Sequence, residues 1–515
     1  MPLVNQLATT ASKNPFKGMR KHSRAYLLAL TLDHCLGRIH QRLDLKGQAT
    51  FVANLKSNVV SVLQGGCFFG ALIAAPLSQR FGRKPTLMLF TIIFFIGAAI
   101  QTAAMHSLTP MYVGRVVAGL GVGAMSAVAP PYVSENAPKE IRGRITGLFQ
   151  FILASGVMIS YWIPYGVSVN IPASTLQWRI PIAFQLVPAG FMFICLIFVK
   201  ESPRWLALRG REQEALVNLC WLRKAAPNDP DLVEEYAEIM AAIQEEKDNK
   251  AGSPYREMLK KGQWPRLLIA VSMMFLTQWS GQNTIGYYAP SIFQSIGFNS
   301  SSSSLLASGV YGIVKFVATG AFLLVGIEQF GRRKSLMFGA FGMGTFFFII
   351  GALIYTHPPD LNAKTIAPAS IAAATMIYLY VIPYCFSWGP IAWVYVSEIF
   401  PTRTRATGVS LAAATQWLFN FVIAKITPFL QVDLPGGRLF FMFGSINMLM
   451  AAYSYFIPET RGLSLEQMDI VFGAVTASQR AEDLQTKEAA QFAAADKMGT
   501  SGKGEAMHLE SISRV

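Results

Sequence analysis

Polar amides recur inside long apolar stretches of this 515-residue chain. The amides so placed are Gln150, Gln278, Gln282, Asn283 and Gln416. An amide in hydrocarbon is costly unless it faces a cavity or a hydrogen-bonding partner. Because amides both donate and accept, they match the alternating hydroxyl groups of a polyhydroxylated small molecule. The alternative for each residue is a hydrogen bond to a neighbouring helix.

One lysine, Lys315, stands midway along the apolar stretch LLASGVYGIVKFVATGAFLLVGI. This stretch holds no other charged residue. At that depth an ammonium group cannot easily reach an interface. It must face a cavity, an acid or an anionic ligand. Three hypotheses follow: a carboxylated substrate such as quinate or a uronate, a neutral sugar, or a structural ion pair.

Aromatic residues lie near the amides in the sequence. They are Tyr287, Tyr288, Trp388, Trp393 and Trp417. Aromatic rings can pack on the apolar faces of a sugar or close a pathway, and they are also common core residues. The sequence alone leaves both interpretations open.

A set of charged residues falls where apolar stretches end. Its members are Arg83, Lys84, Glu135, Arg142, Arg144, Glu328, Arg332, Arg333, Glu398, Arg403 and Arg405. One hypothesis is that they only determine membrane topology. The other is a charge network between two halves, which closes an inner gate and breaks when the halves rock.

Other chemistries lack their motifs. The chain has no H-E-x-x-H, G-x-S-x-G or Walker sequence, and its five cysteines form no C-x-x-C pair. We therefore expect no enzyme activity, no cofactor and no metal. The formal charge of +15 is spread over short loops rather than one basic face, which argues against nucleic acid as a partner.

The elements that position these residues are membrane spans. Hydrophobic residues make up 52% of the chain and charged residues 14%, and a span needs about 20 apolar residues. Eleven segments qualify: 59–79, 86–105, 109–131, 143–166, 180–200, 266–288, 305–327, 335–356, 372–396, 406–430 and 438–457. The lipid bilayer is therefore a partner of this multi-pass protein.

Basic residues fall in alternate short loops, which the positive-inside rule places in the cytosol. That orientation requires a further span before residue 59, and 25–46 is the remaining apolar stretch, although it carries several charges. The predicted domains are a cytosolic tail (1–24), an N-terminal membrane half (25–200), a cytosolic helical linker (201–265), a C-terminal membrane half (266–457) and a cytosolic tail (458–515).

The two halves repeat a pattern. FGRKP at 81–85 is echoed by FGRRK at 330–334, and SENAPKEIRGR at 134–144 is echoed by SEIFPTRTR at 397–405. An internal duplication follows. Parallel repeats that hold substrate between them near mid-membrane are one known transporter design.

With GRVVAGLGVG (114–123), ESPRWL (201–206), the run from Gln278 to Pro290, and PETRGLSLEQM (458–468), these motifs resemble the sugar porter family of the major facilitator superfamily. The resemblance runs from about Asn58 to Met468, and fungal quinate and acid-sugar permeases look similar around Tyr287 and Lys315. It implies an all-α membrane protein with the major facilitator fold: nominally twelve transmembrane helices in two six-helix halves, with an atypical first helix.

The resemblance assigns roles to individual residues. It places Gln150, Gln278 and Asn283 at substrate-contacting positions, and Lys315 at or next to one. It places Trp393 beneath the substrate and Tyr287 and Tyr288 at the outer gate. It also favours the charge network for Arg83, Glu135, Arg142, Glu328, Arg332, Glu398 and Arg403. Where many members have two glutamines, this chain has Thr277 and Gln278, so its substrate preference is expected to differ from that of hexose carriers.

Arg115 opens GRVVAGLGVG and, in proton-coupled relatives, pairs with an aspartate of the first span. The family's G-Y-D stretch is absent from residues 25–46, which leaves proton symport and facilitated diffusion both open. We expect a carrier of monosaccharides, quinate or uronates in the plasma membrane. Alternatives are a non-transporting nutrient sensor and a product inactivated by its first span.

Overall fold

A computed structural model describes residues 45–472, with gaps at 105–106, 138–141, 173, 249–257, 260–262, 299, 326–330, 361–364, 462–467 and 469–470. The predicted tail 1–24 and residues 473–515 of the predicted tail 458–515 lie outside this range. So does the predicted first span, except for its last two residues.

The described chain is helical throughout its regular structure. Six helices form the first membrane half: α1 (Leu45–Phe81), α2 (Arg83–Ala103), α3 (Thr109–Asn136), α4 (Arg142–Asn170), α5 (Leu176–Phe184) and α6 (Leu186–Phe198). Three follow in the linker: α7 (Pro203–Leu208), α8 (Glu212–Arg223) and α9 (Pro230–Asp248). Eight form the second half: α10 (Trp264–Trp279), α11 (Gln282–Ser295), α12 (Ser301–Val325), α13 (Arg332–Thr356), α14 (Pro368–Phe386), α15 (Ile391–Ile399), α16 (Thr402–Asp433) and α17 (Arg438–Phe456).

Ten helical segments in the described residues are long and apolar enough to cross a membrane. They confirm ten of the eleven predicted spans. The eleventh, 266–288, corresponds to α10 and α11, which are separated at Ser280 and Gly281. The predicted bounds 59–79 were wrong for α1, because this helix begins at Leu45 and carries polar residues such as Asn54 and Asn58 in its first turns.

Two further predicted spans are also interrupted. The span 180–200 is divided at Gln185 between α5 and α6, and 372–396 is divided between α14 and α15. Gly389 and Pro390 lie at the second interruption, where proline cannot continue the helical hydrogen-bond pattern. Apolar content alone does not distinguish one long helix from two short ones.

Helices α1 and α3 are joined by a seam of glycines. A Cβ atom at Gly123 would lie 2.0 Å from the carbonyl oxygen of Cys67, and one at Gly70 would lie 2.2 Å from that of Leu120. A Cβ atom at Gly119 would likewise come too close to the carbonyl oxygen of Leu63. Small residues four positions apart let membrane helices approach closely, which explains the glycine spacing of GRVVAGLGVG.

The two halves meet along two helix pairs, α1 with α16 and α4 with α12. Phe421 packs on Gly65 in the first pair, and the Phe151 and Phe316 rings lie 4.6 Å apart in the second. These pairs form the boundary between the two halves. The core of the second half centres on buried aromatic residues, with Trp388 fully buried.

The linker helices pack as a small unit against the end of α1. Trp205, Leu206, Ala215 and Ile243 form their apolar cluster. The indole N–H of Trp205 donates to the Gln79 carbonyl at 2.8 Å. The linker is therefore attached to the first membrane half at the side that carries Arg83 and Arg332, called the basic side below.

Gly123→Ala should destabilise the protein, because the added methyl group has no space against the Cys67 backbone. Overpacking of this kind costs about 1–3 kcal/mol, which should appear as a lower melting temperature of the purified protein. Gly156→Ala in α4 is the matched control, since a Cβ atom there meets nothing within 4 Å. Equal melting temperatures for the two variants would contradict the tight seam.

Candidate functional site

The candidate substrate site is built around the break between α10 and α11. Helix α10 ends at Trp279, and Gly281, with φ +88°, turns the chain before α11 begins. A Cβ atom at Gly281 would lie 2.7 Å from the Phe347 ring. Both the positive φ and the packing therefore require glycine at this point.

The break leaves a backbone carbonyl inside the membrane that other helices satisfy. The Ser280 carbonyl accepts hydrogen bonds from the Tyr380 hydroxyl at 2.8 Å and the Asn447 amide at 3.0 Å. Tyr380 lies on α14 and Asn447 on α17. Interrupted helices are tolerated at membrane depth only with such partners, so these two residues hold the break in place.

Three of the predicted amides meet at this break. The Asn283 side chain donates to the Gln278 side-chain oxygen. Gln282 donates through Nε2 to the Tyr311 hydroxyl of α12 at 2.8 Å. Gln278 and Gln282 are buried and Asn283 is half-buried. The structure thus brings together residues from α10, α11 and α12.

Tyr287 and Tyr288 lie on the next turn of α11. The Tyr288 hydroxyl donates to the Ala424 carbonyl of α16 at 2.6 Å. The Tyr287 hydroxyl faces the side chains of Asn420 on α16 and Gln64 on α1. Because α1 belongs to the other half, Tyr287 lies where the halves meet. This position is compatible with the predicted outer gate, which stays a prediction.

Several buried amide oxygens on α1, α11 and α16 have no hydrogen-bond partner among the described atoms. They are Gln64 Oε1, Gln282 Oε1, Gln416 Oε1 and Asn420 Oδ1. Buried acceptors are normally satisfied by protein, water or ligand. Gln64 and Asn420 meet at Tyr287 of α11, and Gln416 lies one turn before Asn420 on α16. These residues and the amides at the break, called the pocket below, offer several acceptors for hydroxyl groups. Within the described ranges, no group of three metal-binding side chains occurs.

Lys315 borders this pocket. It follows Tyr311 by one helical turn on α12, and its ammonium lies 5.8 Å from the centre of the Tyr384 ring. Tyr384 in turn lies close to Tyr287. The neutral Cys385 thiol lies near the Lys315 ammonium, and no carboxylate of the described residues contributes to the electrostatic environment of Lys315.

The remaining predicted site residues are less closely connected. Gln150 is half-buried on α4, next to Phe151, and Trp393 is half-buried on α15 against the core of the second half. Arg115 is half-buried on α3, after Gly114, whose carbonyl accepts a hydrogen bond from Gln101 at 3.1 Å.

At the basic side of the first half, the Glu201 carboxylate caps the N-terminus of α2. Its carboxylate accepts the backbone N–H groups of Arg83 and Lys84, each at 3.1 Å. The Arg83 guanidinium forms an ion pair with Glu135 at 2.9 Å. The Ser202 hydroxyl donates to the same Glu135 carboxylate at 2.5 Å. These contacts tie α2, α3 and the start of the linker together.

The second half contains the same cluster. Glu459 accepts the backbone N–H groups of Arg332 at 2.8 Å and Arg333 at 3.0 Å. Arg332 pairs with Glu398 at 2.8 Å, and the Thr460 hydroxyl donates to Glu398 at 2.7 Å. The two clusters, called the twin clusters below, extend the internal duplication from sequence motifs to individual hydrogen bonds.

The twin clusters differ from the expected charge network in one respect. Arg83 and Glu135 both belong to the first half, and Arg332 and Glu398 both belong to the second. These pairs therefore hold each half together and do not link the halves. The side chains of Arg142, Glu328 and Arg403 lie outside the described residues.

Glu201 combines burial with several donors. Burial raises the pKa of its carboxyl group, while the N–H groups of Ser202, Lys84 and Arg83 and the Arg83 charge act in the opposite direction. Neither Glu201 nor Glu459 was assigned a role from the sequence. The signal was present, since an acidic residue follows the last span of each half, in ESPRWL and in PETRGLS.

The sequence analysis also missed uncharged members of the pocket. Tyr311 binds Gln282, Asn420 and Gln64 face Tyr287, and the Tyr161 hydroxyl donates to the Gly286 carbonyl at 2.5 Å across the two halves. Tyrosine and amide residues within apolar stretches were the available signal. Nothing in their spacing distinguished them from helix-to-helix contacts.

A multi-pass helical protein with a polar pocket between two related halves is a membrane carrier. The chain matches the family described as Sugar (and other) transporter over residues 8–472, and it belongs to that family. It is similar to a probable quinate permease of Aspergillus fumigatus, with 38% identity over 82% of this chain and 79% of the relative. A quinate permease of Neurospora terricola is 39% identical over 82% of this chain and 80% of the relative.

Solved structures give the same assignment. The proton:xylose symporter XylE bound to 6-bromo-6-deoxy-D-glucose superposes with a TM-score of 0.69 at 25% identity, covering 88% of this chain and 96% of that one. The inward open conformation of XylE from E. coli gives 0.69 at 26% identity, covering 88% and 97%. The predicted major facilitator fold and transporter function are confirmed, and the family comprises transporters rather than enzymes.

Glu201→Ala should lower the stability of the first half, because two N–H groups at the start of α2 lose their acceptor. Leaving such groups unpaired costs about 1–3 kcal/mol, measurable as a reduced melting temperature. The control is Glu212→Ala on α8, whose side chain is exposed. A shift for Glu201→Ala no larger than that of the control would argue against the capping role.

Proposed function

We propose that this protein carries a polyhydroxylated carboxylate, with quinate as the leading candidate, across the plasma membrane by alternating access. In this proposal Lys315 binds the carboxylate. The amides at the α10–α11 break, with Gln416 and Asn420, bind the hydroxyl groups. The termini and the linker lie in the cytosol, as the positive-inside rule requires.

The observation that carries the proposal is an ammonium group that has no carboxylate partner among the described residues. Acidic residues in the described membrane helices occur only near helix ends, at Glu135, Glu398 and Asp433. Lys315 therefore has no acid of the described chain to neutralise it. A buried charge is unfavourable without a partner, and a substrate carboxylate would supply one. The naming of several relatives as quinate permeases supports this choice.

The geometry of the pocket suits the rest of such a substrate. Lys315 and Tyr311 are one turn apart on α12, and Tyr311 holds Gln282. The unpartnered oxygens of Gln282 and Asn420 can accept hydrogen bonds from ring hydroxyls while the ammonium binds the acid group. One ligand could therefore engage the charge and the amides together.

Movement of the halves would expose this pocket to each side in turn. The twin clusters hold each half together at the basic side, so each half can move as one body. The pairs α1–α16 and α4–α12 form the boundary between these bodies. Rocking at this boundary interconverts two conformations of the carrier, and bound substrate shifts the equilibrium between them.

Two alternatives remain open to experiment. A neutral sugar is favoured by the similarity to the xylose symporter XylE, and proton coupling would involve the pairing of Arg115 with an acid that the family pattern implies. The acid expected from the family pattern falls in residues 25–46, outside the described range. A nutrient sensor, the alternative from another class, would bind ligand without taking it up.

Lys315→Ala should abolish uptake of labelled quinate and reduce uptake of a labelled neutral sugar much less. Removing one partner of a desolvated, charge-assisted pair costs on the order of 2–5 kcal/mol of binding free energy. Lys315→Arg should rescue part of the activity, because it keeps the charge but changes its geometry. Uptake should be measured in cells with surface protein quantified.

Equal losses for both substrates would assign Lys315 a structural role instead. Displacement of label by glucose or xylose, but not by quinate or galacturonate, would show that the carrier prefers neutral sugars. Binding of quinate without uptake by the wild-type protein would favour the sensor.

Glu135→Ala and Glu398→Ala should slow turnover to similar extents while changing substrate affinity little. They occupy equivalent positions in the twin clusters, remote from the amides at the break. Turnover and affinity can be separated by comparing initial uptake rates with equilibrium binding. Glu234→Ala, on the exposed face of α9, is the control, and wild-type turnover in both cluster variants would refute this role.

A further inference from the structure

Another lysine inside the membrane helices, Lys425, joins the two halves. The Lys425 ammonium on α16 donates to the side-chain oxygens of Asn54, at 3.4 Å, and Asn58, both on α1. It also lies 6.0 Å from the centre of the Phe429 ring. Lys425 is half-buried, and the sequence analysis assigned it no role.

This contact lies at the side of the membrane opposite the twin clusters. Helix α16 starts at Thr402 on the basic side, and about 1.5 Å of rise per residue places Lys425 roughly 35 Å further along it. Asn54 and Asn58 lie near the start of α1, whose last residue, Phe81, is at the basic side. By the positive-inside rule, the contact faces the cell exterior.

The partners of Lys425 are neutral. Both hydrogen bonds in the described structure go to amide oxygens, and the Tyr112 hydroxyl lies beside Asn58. A carboxylate binds an ammonium more strongly than an amide does, because both partners are ionised. An incoming carboxylate can therefore compete with these amides once the halves separate at this side.

The position also connects with the pocket. Asn420 precedes Lys425 by five residues on α16, about 7.5 Å along the helix axis. Asn420 faces Tyr287, and Tyr287 lies close to Tyr384, beneath the Lys315 ammonium. Asn420, Tyr287 and Tyr384 thus form a series of polar side chains between the Lys425 and Lys315 ammonium groups.

We propose that Lys425 is an external binding site for the substrate carboxylate, occupied before the substrate reaches Lys315. When the halves are open at this side, the anion binds Lys425. When they close, Asn54 and Asn58 take its place and the anion moves inward. This inference rests on the proposed function, because it requires an anionic substrate.

The test compares uptake of labelled quinate and labelled xylose by wild-type protein and four variants. Lys425→Gln should raise the KM for quinate about tenfold and leave the KM for xylose unchanged. Lys425→Arg, which keeps the charge, should stay within about threefold of wild type. Asn58→Asp keeps Lys425 but supplies a competing carboxylate, so it should also raise the quinate KM.

Arg179→Gln is the matched control, since it removes a positive charge from α5 at the same side, where Arg179 lies over Trp178 rather than between the halves. Raising ionic strength should increase the quinate KM of wild type and of this control, but affect Lys425→Gln much less. Surface protein is quantified for every variant. The retained xylose uptake shows that each variant folds.

Three results would count against the inference, and they separate it from the proposed function. Quinate uptake by wild type with an unchanged KM in Lys425→Gln and Asn58→Asp overturns the external site alone. An equal rise in KM for quinate and xylose assigns Lys425 a structural role and overturns it as well. Xylose uptake without any quinate uptake by wild type overturns the proposed function.

Discussion

Hydrocarbon offers no hydrogen-bond partner, and this constraint decides where the protein can place polar groups. Its interior amides and tyrosines converge on the boundary between the halves or on the break in α10–α11. The break itself depends on Tyr380 and Asn447, which satisfy the Ser280 carbonyl. Elsewhere the helices approach through glycine, as at Gly123 and Cys67. The polar pocket and the tightly packed scaffold therefore both follow from the lack of hydrogen-bond partners in the hydrocarbon of the bilayer.

The duplication explains why the two halves behave alike. Gly82 and Gly331 both have positive φ, at +109° and +74°, and each turns the chain beside a carboxylate that receives the following helix. A side chain at either glycine would meet that carboxylate, at 2.4 Å for Glu201 and 2.9 Å for Glu459. The glycine, the acid and the ion pair form one unit of structure. The duplication preserved that unit although the surrounding sequences diverged.

The sequence predicted the spans well, because apolar length is set directly by the thickness of the bilayer. It did not predict the start of α1, since Asn54 and Asn58 face the other half and Lys425 instead of lipid. Lys315 could be singled out because charge is rare at that depth. Asn420 and Gln64 could not, because an amide in a helix gives no sign of which neighbour it faces. The partners of Arg83 and Arg332 were equally hidden from the sequence, since each arginine pairs within its own half, and a network between the halves stays a prediction for Arg142, Glu328 and Arg403.

In the proposed mechanism, Lys315 and the amides contribute differently to a transport cycle. The unpartnered amide oxygens can be satisfied by water when the pocket is open, so they select hydroxyl groups without favouring either conformation. A buried ammonium without an acid is different, because closing the pocket around it removes water that nothing in the described chain replaces. The empty carrier would then resist closure, and a bound carboxylate would relieve that resistance. On this argument the charge at Lys315 governs both which substrate enters and whether the loaded carrier can change conformation.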